Sequence, residues 1–193
     1  MTFEVTRQET YSRGELLLRF FLGGLYILLP HAFLLMFLGI WGMILNFITF
    51  WVILFTGSFP ESFFDFQLKL MRWSTRVNLR LYNLADGYPG FGLDAEDDAF
   101  KLEMACPENS SRGLALLRFF FAWLYLLIPH GFVLYFRSLW TGILSLLAFF
   151  SVLFTGEYPE SWFDFNVGTL RWNLRVNQYW LYMTDEYPPF SGN

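Results

Sequence analysis

The chain has 193 residues, of which 55% are hydrophobic and 22% aromatic, while only 16% are charged against roughly 25% in ordinary soluble domains. Its formal net charge is -4 and it contains one cysteine, Cys106. The composition indicates a protein that meets lipid. It argues against a nucleic-acid binder, which needs a basic surface, and excludes an internal disulfide framework.

The chain contains an internal repeat with a spacing of 99 residues. Ser12 to Phe91 aligns without a gap with Ser111 to Phe190, and the shared blocks include "LLRFF", "FTG", "FDF", "RVN" and "YP". We interpret this as a tandem duplication. It divides the chain into a polar N-terminal tail (1–11), repeat 1 (12–91), an acidic linker (92–110) and repeat 2 (111–190).

The first apolar segment of each repeat predicts a transmembrane helical hairpin. Phe20 to Phe55 is 36 residues without one Asp, Glu, Lys or Arg. A spanning helix needs about 20 residues, so this length suits two spans with a turn at "LGIWG", where Arg137 stands in repeat 2. The predicted spans are 17–38, 40–56, 116–137 and 139–155.

The only two histidines, His31 and His130, each follow a proline in mid-span. Pro30 removes the helical hydrogen bond to the carbonyl of Tyr26, which predicts a kink and a free acceptor, with Tyr125 at the equivalent place in repeat 2. Each histidine is interpreted as a neutral group that locks helices together, as a proton or ligand handler, or as a metal ligand. Without a nearby carboxylate the pair makes a poor metal site, so we expect no metal.

The stretch "FTGSFPESFFDF" predicts a corner after the second span. Gly57 suits a helix C-terminal cap, Pro60 suits the first turn of a new helix, and Asp65 lies near that helix's positive end. Gly156, Pro159 and Asp164 repeat the corner.

Amphipathic helices are predicted to follow the corners, at residues 61–85 and 160–184. Their charged faces would lie in the membrane interface and hold an anionic headgroup or an acidic partner surface. The alternative is a plain topological role with salt bridges to Asp65 and Asp164. The candidate lipid- or partner-binding residues are Arg72, Trp73, Arg76, Arg171, Trp172 and Arg175.

An even number of spans places both termini, the linker and both amphipathic helices on one side of the membrane. Every Lys and Arg except Arg137 then lies on that side, which the positive-inside rule assigns to the cytoplasm. The repeats would be related by a pseudo-two-fold axis along the membrane normal. The acidic linker is either a solvated tether or a segment packed over the basic helix faces.

These motifs resemble the bacterial domain of unknown function family numbered 4389. The resemblance is carried by "ILFTGSFPESFFDF", "LMRWSTRVNLRLY" and "DGYPGF", repeated as "VLFTGEYPESWFDF", "LRWNLRVNQYWLY" and "DEYPPF". It implies a short membrane protein and no established catalytic activity. The matching residues are Thr56, Gly57, Pro60, Arg72, Trp73, Arg76, Tyr88 and Pro89, with Thr155, Gly156, Pro159, Arg171, Trp172, Arg175, Tyr187 and Pro188 in the second copy. Gly90 departs from the closing "YPPF".

No hydrolase, phosphate-binding, metalloprotease or dinucleotide-binding motif is present, so we expect a protein that is not an enzyme and needs no cofactor. The favoured function is a non-enzymatic subunit or scaffold of a membrane complex in the bacterial cytoplasmic membrane. The alternatives are a small transporter or channel with a path past His31 and His130, and an anionic-lipid-binding or membrane-shaping protein. Expected partners are membrane lipids, anionic ones in particular, and other membrane subunits, but no nucleic acid.

Overall fold

The computed structural model describes residues 1–193, and its architecture is four helices and a two-stranded ribbon. Each repeat has one long and one shorter helix: α1 (Arg13–Thr56) with α2 (Glu61–Leu81), and α3 (Arg112–Thr155) with α4 (Glu160–Trp180). Strands β1 (Thr2–Val5) and β2 (Phe100–Glu103) lie before each repeat. The duplication is therefore visible in the fold.

The predicted transmembrane hairpins, and with them the four spans, are wrong, because α1 and α3 run on without a turn. One helical glycine costs only about 1 kcal/mol, which neighbouring contacts offset. Gly42 marks a close helix approach instead, since the amide of Gln67 donates to its carbonyl at 2.7 Å and a Cβ at Gly42 would lie 3.3 Å from Gln67. Arg137 is also turned inward, donating to the Thr169 hydroxyl at 2.9 Å.

The proline in each long helix changes the pattern of backbone hydrogen bonds but does not end the helix. Gly24–Leu28 and Trp123–Leu127 are π-helical, and the N–H groups of Leu29 and Ile128 bond back five residues. Because Pro30 has no N–H to donate, one helical hydrogen bond is missing, and the wider π turn allows the helix to continue beyond that position.

The predicted corners are confirmed at their glycines. Gly57 and Gly156 cap α1 and α3 with φ of 77° and 84°, a left-handed conformation that glycine adopts without strain. Pro60 and Pro159 stand immediately before α2 and α4. The chain then turns back, so each shorter helix packs along its own long helix in the opposite direction, ending earlier than the predicted 85 and 184.

The two long helices run antiparallel to each other. The N–H of Tyr11, just before α1, donates to Gly156 at the end of α3, and the N–H of Ser110 donates to Gly57, both at 2.8 Å. Near the ends, the rings of Phe20 and Phe149 lie 4.5 Å apart. The pseudo-two-fold axis between the repeats is therefore perpendicular to the long helices.

The ribbon extends the duplication to the first residues of the chain. β1 and β2 pair antiparallel with Phe3 opposite Leu102, two residues that are 99 positions apart, as in the repeat. The pseudo-two-fold axis thus passes through this pair. Residues 1–11, predicted as a tail, are therefore equivalent to residues 100–110, the last part of the predicted linker. Phe3 and Leu102 belong to the main core with residues of all four helices.

The outer faces of the long helices carry exposed apolar side chains along their whole length. Phe21, Met43, Phe55 and Phe154 are each more than 70% exposed. Both helices are long and apolar enough to span a membrane.

Candidate functional site

Each repeat buries its histidine in a cluster with a tryptophan from the shorter helix. The indole N–H of Trp73 donates to Nδ1 of His31 at 2.8 Å, and Trp172 donates to His130 at 2.9 Å. An accepting Nδ1 places the proton of the neutral ring on Nε2. Both histidines are 0% exposed, and neither Nε2 has a hydrogen-bond partner in the protein. Trp73 and Trp172, predicted to face lipid or a partner, therefore face inward.

The free acceptor predicted from Pro30 is present, and a tyrosine from beyond α2 satisfies it. The hydroxyl of Tyr88 donates to the carbonyl of Tyr26 at 2.9 Å. Tyr187 makes the same bond to Tyr125, also at 2.9 Å. The tyrosine of the "YP" motif thus supplies the hydrogen-bond donor that the proline lacks.

A phenylalanine completes each cluster by stacking on the imidazole. Phe91 lies over His31 and Phe190 over His130, with ring centroids 4.0 Å apart in both cases. No carboxylate contacts either ring by an ion pair or a hydrogen bond. The cluster joins three chain segments, and its geometry suits helix locking better than proton transfer, which needs a titratable neighbour.

Two buried arginines form a second paired feature that sequence reasoning missed. Arg19 is 7% exposed and donates to Asn83, to the carbonyl of Ala85 and, at 2.7 Å, to Asp86. Asp86 also accepts the N–H of Ser12, the cap of α1.

Arg118 repeats this arrangement in the second copy. It donates to Asp185 at 2.8 Å and lies 3.8 Å over the ring of Tyr179. The signal that could have revealed both arginines is one cation inside each apolar "LLRFF" block, where a charge needs a partner.

The linker packs over the arginine face of α2. Arg72 donates to the carbonyl of Leu102 at 2.9 Å, Arg76 donates to the carbonyls of Gly92 and Ala95, and Arg80 pairs with Asp97 at 2.6 Å. Of the two interpretations of the linker, these contacts fit the packed acidic segment.

The C-terminal tail covers the equivalent face of α4. Arg171 donates to the carbonyl of Gly192 at 2.8 Å, and Arg175 donates to that of Ser191. The expected salt bridges to Asp65 and Asp164 are absent: Asp65 pairs with Lys69, and Asp164 has no ion-pair partner. The arginines reach carbonyl oxygens of the covering segments instead. Lipid binding by these arginines stays a prediction.

A cavity of about 210 Å³, lined by both polar and apolar side chains, lies between α2 and α4 at the pseudo-two-fold axis. Its polar wall includes Ser74 and Asn78 from α2 with Asn173 and Asn177 from α4. Residues two positions apart on a helix point about 200° away from each other, so Ser74 and Asn78 lie opposite Arg72, Arg76 and Arg80. These side chains of the cavity wall therefore face away from the linker.

Comparison with known proteins matches both halves of the chain to one family. The family model described as "Domain of unknown function (DUF4389)" matches residues 14–92 and 116–192. No curated protein and no solved structure matches the chain. No group of three or more His, Cys, Asp or Glu side chains is placed to hold a metal ion.

Proposed function

The chain belongs to the DUF4389 family as a tandem duplication of its domain, and we propose that it is a non-enzymatic membrane protein whose long helices lie along one leaflet. In this arrangement the protein is a scaffold. The exposed apolar faces of the long helices form a base in the lipid. The ribbon, the linker and the C-terminal tail form a polar layer that faces water and binds other subunits. The observation that carries the proposal is the position of the charges relative to the long helices.

The length of α1 argues against a simple span. Its uncharged part, Phe20 to Phe55, is 36 residues, or about 54 Å at 1.5 Å per residue. The hydrocarbon core of a bilayer is only about 30 Å thick. An unbroken helix of this length crosses it only with a steep tilt, whereas a helix lying in the leaflet meets no such limit.

The charged residues lie over the middle of the long helices and not only at their ends. Trp73 contacts His31, close to the midpoint of α1, and the neighbouring Arg72 and Arg76 hold the linker there. A spanning orientation would place the linker carboxylates Asp94 and Asp97 near the bilayer centre, where charged groups cost several kcal/mol each. An orientation along the leaflet leaves them in water.

The remaining surface of the long helices suits hydrocarbon. Their buried side chains form a narrow stripe, including Leu16, Ile27, His31, Leu45 and Ile53, while large apolar residues on the other faces are exposed. An exposed apolar area of this extent marks an interaction surface, and here lipid fits it because the charged residues lie elsewhere.

The histidine clusters favour a scaffold over a transporter. A pathway needs polar groups that exchange partners, whereas each imidazole here is held between an indole N–H and a phenylalanine ring. Membrane shaping is the second candidate, favoured by the broad apolar base, because insertion into one leaflet expands that leaflet alone.

The water-facing layer is proposed to lie in the bacterial cytoplasm. All Lys and Arg residues then share one side of the membrane, as the positive-inside rule requires. The free thiol of Cys106 also suits a reducing compartment.

Spin-label depth at three positions of α1 tests the proposal. Single cysteines replace Phe21, Phe37 and Phe55 in a Cys106→Ser background, and accessibility to oxygen and to a water-soluble nickel chelate is measured in vesicles. All three side chains are at least half exposed, so a label has room. Similar depths in one leaflet support the proposal. Two shallow ends with a deep centre, or a gradient across both leaflets, would contradict it.

A further inference from the structure

We propose that the cavity between α2 and α4 binds the uncharged, hydroxyl-bearing headgroup of a membrane amphiphile, of the diacylglycerol kind. This inference rests on the proposed orientation, in which the side of the cavity away from the linker faces the lipid. It assigns a ligand to a surface that the scaffold role does not explain.

The cavity contains polar atoms that the protein does not use. The amide nitrogens of Asn78 and Asn173 donate to the carbonyls of Ser74 and Thr169, but both amide oxygens have no hydrogen bond within the protein. The amide of Asn177 and the hydroxyl of Ser74 are likewise without a protein partner. A polar group that faces lipid costs free energy unless it has a hydrogen-bond partner.

The chemistry of the lining selects an uncharged ligand. None of its 11 residues is charged: amides and hydroxyls alternate with Leu70, Leu170 and Leu181. A phosphate would bring a negative charge to a site without a cation, because the arginines of both helices lie on the opposite face. Glycerol hydroxyls match amide oxygens as donors and amide N–H groups as acceptors.

The size and surroundings of the cavity also fit such a headgroup. Its volume of about 210 Å³ is several times the roughly 30 Å³ that one water occupies in the liquid. The exposed apolar faces of α1 and α3 lie to either side, so acyl chains leaving the cavity meet Phe, Leu and Ile side chains rather than charge.

The test compares lipid retention by the full chain and two variants. The protein is reconstituted with phosphatidylcholine containing small equal amounts of dioleoylglycerol and phosphatidylglycerol, re-extracted, and its bound lipid measured by mass spectrometry. The cavity variant is Asn78→Leu/Asn177→Leu, which exchanges two equivalent amides for side chains of similar volume. The control is Asn109→Leu, an exposed linker residue.

Retention of dioleoylglycerol over phosphatidylglycerol by the wild type and the control is expected, with a loss of about tenfold in the cavity variant if two hydrogen bonds are removed. Equal retention by all three proteins would overturn the inference, as would enrichment of phosphatidylglycerol alone. If the cavity variant does not fold, a photoreactive diacylglycerol decides the matter in the wild type, where it must label residues 67–78 or 170–181.

Vesicle flotation separates this inference from the proposed function. A wild type that fails to float with vesicles refutes both. A wild type that floats and shows the expected label depths but retains no dioleoylglycerol refutes the ligand alone.

Discussion

The hydroxyl of Tyr88 donates to the carbonyl oxygen of Tyr26 at 2.9 Å, four residues before the proline that leaves this oxygen without its helical donor. Tyr187 and Tyr125 form the same pair in repeat 2. The two residues are 62 positions apart: Tyr26 has a backbone carbonyl without its helical donor, and the side chain of Tyr88 supplies a donor. The proline of the "PH" motif removes a backbone donor, and the tyrosine of the "YP" motif replaces it.

Replacing Tyr88 by Phe should therefore destabilise the fold by about 1 kcal/mol, the usual net value of one hydrogen bond. The loss should depend on the proline. In a Pro30→Ala background the new N–H can serve the carbonyl of Tyr26, so the second substitution should cost much less. Denaturant unfolding in detergent gives the four free energies of the cycle. Equal costs in both backgrounds would show that the two motifs act independently.

Replacing His31 by Asn should preserve the fold better than replacing it by Leu. The amide oxygen of Asn can take the place of Nδ1 as the acceptor of the Trp73 N–H, while Leu leaves that buried donor unpaired at about 1–3 kcal/mol. Thermal unfolding of the two variants, with the same pair at His130, measures the difference. Equal stability of the Asn and Leu variants would refute the locking role.

Replacing Asp185 by Asn should cost about 3 kcal/mol, because it leaves the cation of Arg118 buried without a counter-charge. The same change at Asp86 should cost less, because Glu15 still pairs with Arg19 at 3.3 Å. Glu160→Gln provides the control, since its pair with Arg7 is exposed and should be worth less than about 1 kcal/mol. Similar small losses at all three positions, measured by denaturant unfolding, would mean that water reaches the buried arginines.

The sequence predicted local features of the fold better than their arrangement. The glycine caps and the free carbonyl of Tyr26 depend on one residue type at one position, so motif reasoning found them. The hairpin turn failed because Gly39, Gly42 and the charge of Arg137 were taken as signs of a turn. In the structure Gly42 makes room for Gln67, and Arg137 finds its partners on α4.

The paired nature of the site was equally hidden from the sequence. His31 and Trp73 are 42 residues apart, and their hydrogen bond exists only because α2 folds back along α1. The equivalence of Phe3 and Leu102 was missed because the two segments share few identical residues. Identical glutamates at positions 4 and 103 and at 9 and 108 were the available signal.

Cys106 reports whether the linker stays packed on α2. Burial, with a contribution from Glu61, raises the pKa of its thiol, so less thiolate exists at neutral pH than for a free cysteine. Maleimide labelling at pH 7 should therefore be slow, and it should accelerate as the pH rises towards the raised pKa. Asp97→Asn, which removes the partner of Arg80, should speed labelling at constant pH. Asp164→Asn, at a carboxylate without an ion-pair partner, should not. Equal rates in all three proteins would show a linker that does not depend on this contact.

Polarised infrared spectroscopy of the full chain in aligned bilayers measures the orientation of the long helices relative to the membrane. The amide I transition moment lies close to the helix axis, so its dichroism reports the average helix tilt. Because each shorter helix runs antiparallel to its long helix, and the long helices run antiparallel to each other, we expect a mean helix orientation close to the membrane plane. A dichroism that places the helices within about 40° of the membrane normal, the range of spanning helices, would contradict it.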